Sequence, residues 1–306
     1  MARSRPTFRA APVRIRVPAT SANLGPGFDA LGLALGLWDD VVARVTDTPG
    51  LSIDVAGMGA ATVNRGSRHL VVRAMRAAFK ELGGQPTGLE LVCANHIPHG
   101  RGLGSSAAAI VAGIVAAREL VAGGRSRLDD AAALRLASTL EGHPDNVAPC
   151  LLGGLTIAWT SGSGVHAVRA GLHPEIAPVA FVPGSSSSTK AARKLLPDEV
   201  PHADAVHSAG RAALLVHALA AAPDVLLDAT EDRLHQGYRG SAMPRAAALI
   251  SELREQGVPA VLSGAGPTVL ALTTRATRPE VLQVRRRGWT AMPLDVDADG
   301  ATVVAM

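Results

Sequence analysis

The feature that most constrains this chain is a glycine-rich loop without a lysine. It reads Pro98-His99-Gly100-Arg101-Gly102-Leu103-Gly104-Ser105-Ser106-Ala107 and runs straight into the small-residue helical pattern of residues 109–114. Three alternating glycines let the backbone take positive φ and approach a ligand closely. A helix opening at Ser105 or Ser106 then aims unpaired N–H groups and a partial positive charge into the loop, which suits an anion such as a phosphate. A Walker A loop would end in Gly-Lys-Ser/Thr, and a dinucleotide fingerprint would read G-x-G-x-x-G after a buried strand. The Gly-Leu-Gly-Ser-Ser found here satisfies neither pattern, so the common nucleotide-binding architectures are excluded.

With 306 residues, of which 47% are apolar, the chain has enough material for a real core and room for two domains. Its net charge of +4 comes from arginines scattered along the sequence, with only Lys80, Lys190 and Lys194 beside them. The longest basic run, Arg285-Arg286-Arg287, is expected at the solvated C-terminal end of a helix, where cations are favoured. Aromatic residues make up 3% of the chain, too few for the stacking platforms of single-strand binders, so no nucleic-acid partner is expected. Cys93 and Cys150 are far apart in apolar surroundings, as expected of buried thiols in a reducing compartment. The basic N-terminus has no apolar segment behind it and no stretch approaches a membrane span. A cytoplasmic protein without a membrane partner is the expectation.

Short β-rich segments at 13–17, 41–45, 51–55 and 89–94, with a helical pattern over 69–82, predict a mixed α+β first half. Two helices are predicted at 106–121 and 128–140, the second running into the turn-rich cluster Glu141-Gly142-His143-Pro144-Asp145-Asn146. Past Gly153-Gly154 come strands at 155–159, 165–168 and 178–182, then helices near 190–195, 203–221 and 245–256. A strand at 260–263 meets a second glycine turn, Ser263-Gly264-Ala265-Gly266-Pro267-Thr268. Strand 269–273, a last helix and strands 291–296 and 302–304 close the chain. No repeat or low-complexity linker is present, so a domain boundary near residue 155 divides the chain tightly into 1–155 and 156–306.

A third segment, Pro18-Ala19-Thr20-Ser21-Ala22-Asn23-Leu24-Gly25-Pro26-Gly27-Phe28-Asp29, gathers small residues, Asn and Asp in what reads as a loop after the first strand. Taken with the 98–107 loop and the 263–268 turn, in this order, it resembles the GHMP kinases over nearly the whole chain. The resemblance implies an α+β, two-domain GHMP kinase fold, with an N-terminal ATP-binding domain like domain 2 of ribosomal protein S5 and a ferredoxin-like C-terminal domain. The first segment, Glu141–Pro149 and the stretch Ser188-Thr189-Lys190-Ala191-Ala192-Arg193 are specifically similar to the branch of that superfamily that phosphorylates L-homoserine. ATP and Mg²⁺ are the implied cofactors, L-homoserine the implied substrate and a homodimer the implied assembly. An isoprenoid or sugar kinase of the same superfamily, or a sensor that keeps the fold without catalysis, stands as an alternative.

Phosphoryl transfer is mostly positioning and charge neutralisation, so such a site must hold a triphosphate, a divalent cation and an acceptor hydroxyl in line. The phosphates fall to Pro98, Gly100, Arg101, Gly102, Leu103, Gly104, Ser105, Ser106 and Ala107, with the Arg101 side chain as an extra cation. By resemblance, Ser106 and Glu141 are the Mg²⁺ ligands, oxygen donors as that hard ion prefers. An α-amino acid needs an acid for its amine and an arginine for its carboxylate. The resemblance puts Asn23 and Asp29 at that end, His143 and Asn146 beside the acceptor, and Thr189, Arg193 and Arg239 around the carboxylate or hydroxyl. Asn146, Arg193 and Thr189 lie closest to the transfer itself. Asn64 is the candidate purine contact, and the remaining histidines are assigned to surface or capping positions. Several GHMP kinases place an aspartate base where this chain has Asn146, and an amide cannot take a proton. The expected transfer is therefore direct, with the γ-phosphate itself accepting the proton, and Asp145 as a general base stands as the alternative.

Overall fold

The computed structural model describes residues 5–186 and 192–306. The alternation Val13-Arg14-Ile15-Arg16-Val17 opens strand β1 (Val13–Ala22), burying Ile15 and Val17 while Arg14 and Arg16 pair with Asp40 on the opposite face. β1 lies antiparallel to the long strand β2 (Leu31–Thr46), and the register shifts between Pro18 and Ala19, a bulge that accommodates a proline lacking an N–H. Strands β3 (Gly50–Gly57) and β4 (Gly88–Asn95) run parallel to each other beyond β2. Helix α1 (Leu70–Glu81) makes the crossover between them, with Val71, Val72, Met75 and Phe79 inward and Arg73, Arg76 and Lys80 outward.

Helix α2 (Ser105–Leu120) is apolar on every side, and a helix without a polar face has to be enclosed. It is covered by β1, β2 and α1, and by helices α4 (Asp130–Glu141) and α5 (Pro144–Leu152), which follow the single-turn α3 (Gly124–Arg127). Asp129 caps α4 by accepting from Ala132 N at 2.8 Å, and Gly142 ends it at φ 92°. The cluster at 141–146 is thus a turn of only two residues, Gly142 and His143; Pro144 then pre-sets φ for the first turn of α5, a helix the sequence reading did not anticipate.

Two further strands, β5 (Leu155–Ser161) and β6 (Gly164–Ala170), extend this first sheet from the start of β2. A second, antiparallel sheet has the order β10-β7-β9-β8, formed by β7 (Val179–Pro183), β8 (Ala260–Leu262), β9 (Val269–Ala271) and β10 (Trp289–Pro293). Among the described residues, helices α6 (His202–Ala220), α7 (Leu226–Ala229), α8 (Gln236–Gly240), α9 (Pro244–Glu255) and α10 (Arg278–Val281) complete this half, with Leu249 and Leu253 of α9 buried against Phe181, Leu262 and Val269. The last strand, β11 (Thr302–Val304), returns to the far edge of β1. The first sheet therefore takes strands from both sides of residue 155, because β5, β6 and β11 find their open edges there.

Two local expectations are corrected. Residues 18–22 are strand rather than loop, since they pair with residues 32–38 of β2. Arg285, Arg286 and Arg287 lie beyond the end of α10, where Arg286 pairs with Glu252 and Arg285 with the Leu282 carbonyl, rather than in a helix.

Helices α1 and α2 touch at Gly113, where an added Cβ would stand 2.5 Å from the Val71 carbonyl oxygen of α1. Alanine gains about 1 kcal/mol of helix propensity over glycine, whereas overpacking against backbone costs about 1–3 kcal/mol. Gly113→Ala is expected to destabilise the fold by about 1–2 kcal/mol in equilibrium denaturation, and a stabilised variant would show that α1 and α2 separate freely.

Candidate active site

The three glycine-bearing segments meet at one point. Gly100, Gly102 and Gly104 all take positive φ, and Cβ atoms on Gly102 and Gly104 would fall on the Ser263 carbonyl and on Thr20 Oγ1. The Ser263 hydroxyl donates to Gly102 O at 2.6 Å and accepts from the Ser21 hydroxyl at 2.8 Å, while Thr20 N donates to Leu103 O and Thr268 N to Arg101 O, both at 3.1 Å. The 263–268 turn thus supports the loop from the second sheet. Ala108 N already reaches Gly104 O, so the N–H groups of Ser105, Ser106 and Ala107 are the unpaired first turn of α2.

Two cavities open on either side of this helix start, and Ser105 and Ser106 line both. One, about 340 Å³, is walled by Val17, Val41, Val63, Leu70, Ala109 and Ala112, with Asn64, His69, Asn95 and His99 at its edges. The other, about 230 Å³, is polar and brings together Asn23, Asp29, Glu141, His143, Asp145, Asn146, Arg193 and Arg239. Residues up to 264 in number converge there because the turn after β1, the α4–α5 junction and α8 all end at the same rim.

Inside the polar cavity Asp29 and Arg193 form a bidentate pair, Nη2–Oδ1 at 2.6 Å and Nη1–Oδ2 at 3.1 Å. Asp29 sits at φ 56°, after the left-handed run Asn23-Leu24-Gly25 that reverses the chain. The Asn23 amide fixes that turn: its oxygen accepts from Asp29 N at 3.0 Å and its nitrogen donates to Gly264 O at 2.9 Å. Phe28 lies under both arginines, with the guanidinium carbons of Arg193 and Arg239 at 5.6 and 5.4 Å from its ring centre. Ser106 Oγ donates to Glu141 Oε1 at 2.6 Å, and burial holds the Glu141 carboxyl above its ordinary pKa despite that bond. Burial, with Arg193 nearby, pushes the His143 imidazole down.

Pro98, Leu103 and Ala107 are buried, so these three offer backbone rather than side chains. The Arg101 guanidinium donates to the carbonyls of Pro183, His99 and Gly184 at 2.9, 2.8 and 2.6 Å, which binds the loop to β7. Thr189 lies outside the described residues. Asp145, the alternative base, lines the cavity, whereas His235, assigned no part in the transfer, lies behind Arg239. Asp145 is 1% exposed, held there because Gly32 lets the α5 backbone approach β2, and burial together with the charge of Asp29 pushes its carboxyl up to about 7. His235 is fully buried against Phe28, contrary to the surface or capping position expected of it. The four-residue spacing of His235 and Arg239, one helical turn, was the available signal.

Comparison with known proteins places these cavities in a family. The family model of the GHMP kinases N terminal domain matches residues 69–154, and that of the GHMP kinases C terminal domain residues 211–289. Homoserine kinases of Streptomyces avermitilis and Streptomyces coelicolor are each 61% identical over 301 residues, covering 98% of this chain and 98% and 97% of theirs. The crystal structure of homoserine kinase from Cytophaga hutchinsonii superposes with a TM-score of 0.84 at 26% identity, over 97% of this chain and 98% of that one. A mevalonate kinase of L. major, crystallised with R-mevalonate, shares the fold with a TM-score of 0.68 at 15% identity, over 97% of this chain and 99% of its own.

A carboxyl whose folded pKa is raised favours the folded state below its unfolded pKa, and that contribution is lost as pH rises through the folded value. For Asp145 the window runs from about pH 4 to about 7. Replacing it with asparagine removes the dependence, so the melting temperature of Asp145→Asn relative to the parent is expected to rise between pH 4.5 and pH 8. A constant difference across that range would mean an ordinary carboxylate.

Proposed function

The chain belongs to the homoserine kinases of the GHMP kinase superfamily, and from that membership we propose how its own residues carry out the transfer ATP + L-homoserine → O-phospho-L-homoserine + ADP. Its kind of enzyme is an ATP-using phosphotransferase with an alcohol acceptor. The observation that carries the site reading is the polar cavity in which the Asp29–Arg193 pair lies beside the Ser106–Glu141 contact at the start of α2. A carboxylate and a guanidinium side by side are the electrostatic complement of an amino-acid zwitterion.

In this reading the apolar cavity beside Asn64 takes the purine and the backbone of residues 100–107 takes the phosphates, a fit supported by glycines that leave no room for a Cβ. Asp29 receives the substrate amine, Arg193 and Arg239 the carboxylate, and Asn146 and His143 the hydroxyl end, with Thr189 adjoining them. Ser106 and Glu141 supply two hard oxygen donors for Mg²⁺, which when bound neutralises charge on the phosphate oxygens. The hydroxyl oxygen forms its bond to the γ-phosphorus as the bond to the bridging oxygen of ADP breaks, and the hydroxyl proton passes to the transferred phosphoryl group. Two unpaired buried cysteines and a biosynthetic use of ATP support a cytoplasmic setting, and the family resemblance supports a homodimer.

A second reading has a specific observation in its favour. Asp145 borders Asn146, lines the same cavity and has a pKa near neutrality, as a general base requires. Asp145→Asn separates the two: a fall in kcat of about 10²–10⁴ with little change in KM would make Asp145 the base, and a fall below about tenfold would leave direct transfer.

A coupled ADP-release assay with Mg²⁺-ATP and L-homoserine, L-threonine, mevalonate or galactose tests the acceptor end. Turnover is expected with homoserine, and Asp29→Ala and Arg193→Ala are each expected to raise its KM by about 10–100-fold, the range for losing a charged hydrogen bond. Unchanged KM in both would remove the zwitterion clamp. Glu141→Gln is expected to raise the Mg²⁺ concentration needed for half-maximal rate, and an unaltered requirement would take Glu141 out of the metal site.

A further inference from the structure

His235 precedes α8 and has no part in the transfer just described, yet its ring is wholly buried beside the acceptor cavity. Its Nε2 lies 3.0 Å from the carbonyl oxygen of Gly25. A carbonyl only accepts, so Nε2 carries the proton and Nδ1 bears a lone pair. That lone pair faces Nη1 of Arg239 at 3.1 Å, and Nη1 also donates to Gly264 O at 3.0 Å. Both hydrogens of Nη1 are thereby directed and the guanidinium plane is set. The opposite edge, Nε with Nη2, is the fork that grips a carboxylate in two parallel bonds, and Nε has no acceptor among the described residues. Arg239 itself is 2% exposed and lines the cavity.

The same ring stacks on Phe28, 4.9 Å between centres and 20° between planes, and Phe28 is the surface on which both arginines rest. The buried Asp232 carboxylate, 3.6 Å from Nε2, accepts from the N–H groups of Leu234, His235 and Gln236 at 2.9, 3.1 and 2.7 Å, so it caps the turn that holds the histidine. Burial and the Arg239 charge outweigh the pull of Asp232 and push the imidazole down to about 4. The ring remains neutral, which it must be to accept from Arg239.

We propose that His235 is a positioning residue for the substrate carboxylate: as a neutral imidazole it holds one corner of the Arg239 guanidinium and the face of Phe28, and so presents the other edge of Arg239 to the amino acid. The inference rests on the reading of Arg239 as a carboxylate ligand. It assigns no proton transfer to the histidine, and its effect lies in binding of the acceptor, with binding of ATP left alone.

The test is steady-state KM for L-homoserine and for ATP, with melting temperatures, in His235→Leu, His235→Asn, His235→Gln, Arg239→Gln and the Leu/Gln double variant. Removing the acceptor in His235→Leu is expected to raise the homoserine KM by about 10–100-fold and leave the ATP KM within about twofold. Asparagine places its Oδ1 where Nδ1 was and should restore most of the loss, while glutamine, whose amide reaches towards Gly25, should restore less. On the Arg239→Gln background the leucine change should add little. Equal impairment by asparagine and glutamine, or a parallel rise in the ATP KM, would overturn the proposal in favour of simple packing. If the leucine variant fails to fold, the order of asparagine and glutamine decides alone: a lower homoserine KM for asparagine upholds it, and an equal or higher one overturns it. An Arg239→Gln enzyme with an unchanged homoserine KM would remove the carboxylate reading and this inference together. A raised KM in Arg239→Gln with none in His235→Leu would remove the inference only.

Discussion

Everything in the site depends on a close approach that side chains would forbid. At Gly102 and Gly104 the glycine-rich loop runs so near Ser263 and Thr20 that no Cβ fits. The Ser263 hydroxyl spans the gap, bonded to Gly102 O and Ser21 Oγ. This contact ties the end of β1, the start of α2 and the turn between β8 and β9 into one rigid corner. It also fixes the direction of the α2 axis, and hence where its unpaired N–H groups point.

From that corner the rest of the geometry follows by packing. An apolar α2 has to be enclosed, so α4 and α5 lie against it, and their junction brings Glu141 within 2.6 Å of Ser106 across 35 residues of sequence. Gly32 permits the α5 backbone to sit on β2, which buries Asp145 beside Asn146. A left-handed turn after β1, stabilised by the Asn23 amide, swings Phe28 and Asp29 under the arginines of the second half. Polar groups in the cavity are consequently arranged in pairs, the Asp29–Arg193 ion pair and the Ser106 hydroxyl bonded to Glu141. The neutral His235 orders Arg239 without adding a charge of its own.

The secondary structure was legible where periodicity was strong. Helices α1, α2 and α4 and strands β3 to β6 came within a few residues of their predicted places, because apolar spacing and glycine or aspartate caps are local signals, whereas β2 begins at Leu31, well ahead of the strand expected from residue 41. Local signals misled at residues 18–22, where small residues and a proline read as loop but lie in a bulged strand, and at 144–152, where Pro144 and Asn146 read as turn but open a helix. Arg285–Arg287 read as a helix end, yet α10 stops at Val281 and pairing with Glu252 and Leu282 decides their place. Asp145 was legible only as an alternative base beside Asn146, and His235 only as one more surface or capping histidine, since both residue types are commonplace on surfaces and only burial makes these two unusual.

The sequence by itself determined the glycine-rich loop, the helix behind it and the acidic and basic side chains of the polar cavity, because backbone freedom at glycine and the charge of a side chain are properties of single residues. Tertiary structure alone decided that Arg101 holds the end of β7 by the carbonyls of Pro183 and Gly184, that Asp145 is pushed towards neutrality, and that a histidine orients an arginine. Those outcomes depend on distance and desolvation between segments far apart in sequence, 210 residues for the His235–Gly25 contact, and such terms exist only once the chain has closed on itself.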